Sequence, residues 1–387
     1  MSSHIFLNEA VQHSGVGSVP GGAPGTFHRS LPGYEPSRLV NAEGIASSLG
    51  VGRVWVKDES SRLGLPAFKI LGASWAVYRE LEKLVDLDGW TTLEELNAKL
   101  DPIRPMTLSA ATDGNHGRAV ARMAALLGFD AKIYVPAGTA QARIDAIASE
   151  GASVEVVDGT YDDTVARSAE DAGERCLVIS DTSWEGYRDV PLNVIDGYST
   201  IVAEVDEQLA ARGERQPDVV VVQVGVGALA SAVVAHYRNP ARERNPKLVC
   251  VEPVVANCMI ESMRAGEVVT IPGPQDSIMA GLNCGTPSLL AWPVVSAGTD
   301  LFVEIDDERA REGMRLLAGA GVQAGETGAA GLGGLIELLT GPEAATAREF
   351  LGIDESSSVL LFVTEGATDP GAYEEIVGHP PAEGGVR

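Results

Sequence analysis

Aromatic side chains are scarce in this 387-residue chain: Phe, Trp and Tyr together make up 5% of it. A core without them must be built from Val, Leu, Ile and Ala, which favours sheets covered by alanine-rich helices over an all-β sandwich. Cysteine is rarer still. Cys176, Cys250, Cys258 and Cys284 are not spaced as a metal-ligand cluster, and the six scattered His add none, so no metal site is expected. Basic residues are outnumbered, 29 Lys and Arg against 54 Asp and Glu, for a formal net charge of −25. Such a surface repels a phosphate backbone, and no basic stripe interrupts it, so no nucleic-acid partner is expected. No apolar run reaches the length of a membrane span. The opening "MSSHIFLNEA" has no basic region followed by an apolar one, so no secretory leader is visible and the cytoplasm is the expected compartment.

What is present is an alternation of apolar runs. "RVWVKDES" reads as a strand, and residues 68–84 carry Leu71, Trp75, Tyr78 and Leu81 at helical spacing. Residues 86–103 read as a less regular connection. From about 105 to 185 the pattern becomes βαβαβαβ: "MTLSAA", "AKIYVP", "ASVEVV" and "RCLVIS" are strands with helical stretches between them. A second alternation follows, from "DVVVVQV" through "KLVCVEP" to "SSVLLFVTEG". The predicted architecture is α/β, with two parallel-sheet domains flanked by helices. Residues 1–104 form the N-terminal part of a large domain, 105–200 a small α/β domain, and 201–387 the remainder of the large one.

Three glycine-bearing turns follow predicted strands, where α/β proteins place ligands. In "VVVVQVGVGALASAVV", Gly225 and Gly227 let N–H groups from Gly225 to Leu229 converge on an anion at a helix start, or simply close a tight turn. In "SAATDGNHG", Asp113, Asn115 and His116 open a helix, where Asp113 or Asn115 can cap it or meet a ligand. In "LLFVTEGATDP", Thr364 either faces a ligand or closes a turn. Lys69, in "PAFKILGA", is likewise open to two readings: a snorkelling surface residue, or an amine held in place for chemistry.

Taken together, "VKDESSRLGLPAFKILGA", "SAATDGNHGRAVA", "GTYDDTV", "DTSWEGY", "VQVGVGALASAV", "VEPVVANC", "SIMAGLNCGTPS", "GETGAAGLGG" and "FVTEGATDP" resemble the pyridoxal-phosphate enzymes of the tryptophan-synthase-β type (fold type II). The resemblance spans most of the chain, and within that family it is to the diaminopropionate ammonia-lyases. It implies pyridoxal 5'-phosphate as cofactor, with Lys69 as the lysine covalently joined to it. It also implies Gly225, Val226, Gly227, Ala228 and Leu229 around the phosphate, Asn115 beside the 3-hydroxyl oxygen, and Thr364 facing the pyridine nitrogen. Ala111, Thr112, Asp113, His116 and Asp181 are implied at the substrate.

The reaction so implied is α,β-elimination of 2,3-diaminopropionate, in both enantiomers, to pyruvate and two ammonia. Asp181 is matched with the base for the L form and Asp113 with that for the D form. For either acid to act as a base near neutrality, its pKa is expected to rise within the site. The same resemblance implies a cysteine pair able to form a disulfide, Cys258 with Cys284, and a homodimer. Alternatives are deamination of serine, threonine or hydroxyaspartate, a β-replacement of the cysteine-synthase kind, and a non-catalytic small-molecule-binding protein.

Overall fold

The computed structural model describes residues 4–17, 22–112 and 114–382. Along them run β1 (Ile5–Leu7), β2 (Arg38–Asn41), β3 (Arg53–Asp58), β4 (Thr107–Ala111), β5 (Asp130–Pro136), β6 (Ser153–Val157), β7 (Cys176–Val178), β8 (Val219–Gln223), β9 (Lys247–Pro253), β10 (Leu301–Ile305) and β11 (Ser358–Val363). The chain divides into two compact units: Met1–Val19, Pro36–Ser61 and Ile201–Arg387 form one, and Pro20–Glu35 and Arg62–Thr200 the other.

The larger unit holds a seven-stranded sheet in the order β1-β10-β9-β8-β11-β3-β2. Its five inner strands are parallel, and β1 and β2 close the two edges antiparallel. Strands covered on both faces need apolar residues at every position, not alternate ones. The sequence obliges with "VVVVQ" in β8 and "SVLLFV" in β11, both buried throughout. The helix Glu326–Thr340 packs across β8, β9, β10 and β11, with Leu335 and Leu338 in one core with Val221, Val249 and Leu361.

The smaller unit holds a wholly parallel sheet in the order β6-β5-β4-β7. The helix Asn115–Leu127 follows β4, lies on β4 and β5, and also packs against the helix Lys69–Leu81. Its apolar face buries Val120, Met123, Ala124 and Leu127, and Gly128, left-handed at φ 64°, ends it. That packing explains a difference from the expected division at residue 105: residues 62–104 and 20–35 join the small sheet's unit because the Lys69 helix shares its core. Residues 86–103 also differ from the irregular connection expected. They contain the helix Leu93–Leu100, opened by a capping box between Thr92 and Glu95.

Sheet order also locates where ligands can bind. In a parallel sheet, a crevice opens beyond the carboxyl ends of two adjacent strands whose connections leave in opposite directions. In the larger unit the chain steps outward from β8 to β9 and β10, then returns to place β11 on the other side of β8. In the smaller unit β4 sits between β5 and β7 in the same way. No helix among the described residues is long and apolar enough to cross a membrane.

Candidate functional site

At the switch point of the larger unit, β8 ends at Gln223 and the chain turns through residues 224–227 into the helix Ala228–Tyr237. Gly227 adopts φ +102°, and a Cβ there would come within 2.8 Å of the Ala291 Cβ, so only glycine fits. Gly225 is similarly hemmed in, its missing Cβ 3.1 Å from the Gly281 carbonyl and 3.3 Å from the Cys284 Sγ. Among the described residues, no backbone carbonyl takes up the N–H groups of residues 225–230, although residues 227–230 are buried. Unpaired donors at a helix start form a cradle for an anion.

β11, beside β8, runs directly into Thr364, which is 3% exposed. The Gln223 amide Nε2 lies 2.9 Å from the Thr364 Oγ1, 3.0 Å from the Thr327 carbonyl and 3.1 Å from the Phe362 carbonyl. An amide nitrogen only donates, so the Thr364 oxygen is the acceptor. No acceptor for the hydroxyl's own proton is found among the described residues. A buried donor left unmet costs about 1–3 kcal/mol, which a ligand acceptor would recover.

In the smaller unit, Lys69 is the first residue of its helix, and its side chain is 22% exposed. Its Nζ donates to the Asp181 Oδ2 at 2.6 Å. Asp181 stands just beyond β7, with the Tyr161 hydroxyl 3.5 Å from its Oδ1 and the His116 Nδ1 3.9 Å from its Oδ2. His116 is fixed from its other side, where Nε2 donates to the Ile179 carbonyl at 2.8 Å. Burial raises the pKa of the Asp181 carboxyl, but the charges of Lys69 and His116 and the Lys69 hydrogen bond outweigh it. They hold it well below the usual carboxylate range. The expected rise is therefore absent, because the ammonium contact overrides the burial, and the lowering lasts only while Lys69 keeps its charge.

The turn after β4 is organised by Thr112, whose Oγ1 accepts from the N–H groups of Gly114 and Gly117 at 2.9 and 3.0 Å. Thr112 thus meets the N–H of Gly117 in the first turn of the helix Asn115–Leu127. Ala111 is buried at the end of β4, and Asn115 begins the helix. Asp113 lies outside the described residues. Lys69, His116 and Asp181 are brought together; Gly225 to Leu229 and Thr364 gather at the other unit's switch point.

Cys258 begins the helix Cys258–Ala265, and burial pushes its thiol far up, with Glu252 and Cys284 adding to the rise. Cys258 and Cys284 are not joined in a disulfide. No group of His, Cys, Asp and Glu among the described residues is arranged to hold a metal ion.

Three residues escape the sequence reading. Gln223 leaves a usable sign, a lone amide in an otherwise apolar strand. Tyr161 lies in a quoted segment but nothing there marks it. Tyr198 gives no sign at all, yet its phenol is 1% exposed, has no hydrogen-bond partner among the described residues, and packs its ring 4.7 Å from that of Phe68.

Comparison with known proteins identifies the family. The family described as "Pyridoxal-phosphate dependent enzyme" matches residues 31–361. A diaminopropionate ammonia-lyase of Salmonella typhimurium is 37% identical over 366 residues, covering 91% of this chain and 90% of the relative. A crystal structure of the Escherichia coli diaminopropionate ammonia-lyase, in complex with an aminoacrylate-PLP azomethine reaction intermediate, superposes with a TM-score of 0.86. It is 35% identical and covers 96% of each chain. A second structure of that enzyme, in complex with D-serine, gives a TM-score of 0.87 at 34% identity, again covering 96% of each chain.

Proposed function

The chain belongs to the pyridoxal-phosphate dependent enzyme family, and from that premise we propose that it is an ammonia-lyase. It converts 2,3-diaminopropionate and one water to pyruvate and two ammonia. Pyridoxal phosphate is its cofactor, whose conjugated ring, when bound, accepts the electron pair left on the substrate's α-carbon.

The residues present fit that group. The unpaired N–H groups of residues 225–230 suit a phosphate, the Thr364 proton suits a ring nitrogen, and the Lys69 amine suits an aldehyde. Asn115 is assigned to the 3-hydroxyl oxygen.

What carries the reading is the 2.6 Å bond between Lys69 and Asp181. Elimination needs an amine that can hold a carbonyl carbon and a base for the α-proton, and this pair supplies both. Asp181 takes the α-proton of the L form at its carboxylate, which the Tyr161 hydroxyl meets at 3.5 Å. Asp113 does so for the D form. Both carboxylates also attract a substrate bearing a second ammonium, which a hydroxy amino acid lacks. That second amino group is already protonated, so it leaves as neutral ammonia with no further proton supplied. Ala111, Thr112 and His116 border the substrate, and the protein works as a cytoplasmic homodimer.

The test is pyruvate and ammonia release from both enantiomers of 2,3-diaminopropionate, serine and threonine. Diaminopropionate should turn over fastest, and faster release from serine or threonine would overturn the substrate assignment. Asp181→Asn should lower kcat/KM for the L form by about 10²–10⁴ and spare the D form. Equal losses on the two enantiomers would remove the assignment of faces. Sedimentation equilibrium checks the dimer.

A further inference from the structure

Gln223 stands at the end of a buried strand, 3% exposed, where every neighbour along β8 is valine. Its amide nitrogen lies within reach of four acceptors: the Thr327 and Gly328 carbonyls at the start of the helix Glu326–Thr340, the Phe362 carbonyl in β11, and the Thr364 Oγ1 after it. Gly331 gives the amide its space, since a Cβ there would stand 3.1 Å from the Gln223 Oε1. The amide's orientation is set by its surroundings. Exchanging oxygen and nitrogen would turn Oε1 against three carbonyl oxygens, none of which can donate.

Thr364 inherits a direction from this arrangement. Its oxygen accepts from an amide nitrogen that has no lone pair to offer in return. Its proton must therefore leave by another path, and among the described residues it meets no acceptor. We propose that Gln223 is a positioning residue that fixes the Thr364 hydroxyl as a donor, so that the site selects a cofactor ring nitrogen in its unprotonated, accepting form. This rests on the reading that Thr364 faces that nitrogen. A protonated nitrogen would give the Thr364 oxygen a second donor while its own proton still had nowhere to go. Gln223 thereby limits how much charge the ring can accept, acting through Thr364 without touching the cofactor.

The experiment loads the protein with pyridoxal phosphate carrying 15N at the ring nitrogen and follows that resonance from pH 6 to 9. In the native holoenzyme the signal should stay at the position of a neutral, hydrogen-bonded pyridine. In Gln223→Leu the hydroxyl is free to turn toward the carbonyls that lost their donor. The upfield pyridinium signal should then appear at the acidic end of the range. Thr364→Val should move the signal downfield, to a pyridine with no hydrogen bond.

A Gln223→Leu holoenzyme that melts at a lower temperature but keeps the native signal would overturn the proposal and leave Gln223 a packing residue. A Thr364→Val signal identical to the native one would instead remove the underlying reading of Thr364. If Gln223→Leu does not fold, the native protein decides: a pyridinium signal between pH 7 and 8 overturns the proposal, and a neutral one supports it.

Discussion

Asp181 owes its charge to one neighbour. With its side chain 7% exposed, it would be pushed toward protonation by burial alone, and the Lys69 ammonium is the main force reversing this. A carboxyl whose pKa is depressed on folding contributes stability above its unfolded value, about 3.9, and loses it as the pH falls through the lower folded value. Lys69→Ala in the cofactor-free protein leaves that carboxylate without its partner. A loss of about 1–3 kcal/mol at pH 7 is expected, below the range for fully buried pairs because Lys69 is partly exposed. Urea unfolding measures it. In the Lys69→Ala, Asp181→Asn double variant most of the loss should return, because no buried charge then lacks a partner.

At the scale of elements, the junctions between strands and helices carry both the chemistry and the strain. Gly227→Ala would combine a left-handed backbone with a 2.8 Å contact to the Ala291 Cβ. A loss of about 1–3 kcal/mol is expected, together with weaker pyridoxal-phosphate binding by titration, since the cradle's N–H groups shift with the backbone.

A second junction joins β9 to the helix Cys258–Ala265, where the two Glu252 carboxylate oxygens accept from the N–H groups of Met259 and Ile260 at 2.8 Å each. Burial pushes the Glu252 carboxyl up to about 8; Glu304's charge adds to the rise, and the two N–H bonds oppose it. Its folded pKa thus lies above its unfolded value, about 4.3. The folded state holds this proton longer, so stability from this group is full below that unfolded value and falls as the pH rises through about 8. Urea midpoints measured from pH 5 to 8.5 should decline in the native protein, and Glu252→Gln should flatten the decline.

Elements also show what local sequence reveals. The strands β8 and β11, apolar but for Gln223 and Ser358 at their ends, are plain in the sequence, because burial on both faces leaves no room for alternation. The helix Leu93–Leu100 is hard to see in the sequence although Thr92 and Glu95 spell its capping box. With only Leu96 and Leu100 buried, it shows too short an apolar face to stand out as periodic. Gln223 was visible as an amide in a valine strand, but its acceptors belong to other segments.

At the scale of the molecule, the larger unit is assembled from three stretches of chain. β3, from residues 36–61, pairs with β11 along six residues, from Arg53 with Ser358 to Asp58 with Val363. Lys57 in that strand is completely buried and donates to the Glu204 carboxylate at 2.6 Å and the Gln208 side chain at 3.1 Å. A fragment of residues 201–387 would lose these partners, exposing the edge of β11 and stranding Glu204. Expressed alone, it should show no cooperative urea transition; a sharp one would mean that β3 is dispensable to this core.

The α/β character, the glycine turns after strands and, through the order of its segments, the cofactor family are legible in the amino-acid order alone. Each of these depends on residues near one another in the chain. Folding is what joins residues 62–104 to the small sheet's unit, brings Lys69 to Asp181 across 112 residues, and sets the Gln223 amide on the Thr364 oxygen across 141. Those contacts follow from the order of strands in a sheet. Buried parallel strands are nearly interchangeable in composition, so their order is settled by how their connecting helices pack and not by the strands' own letters.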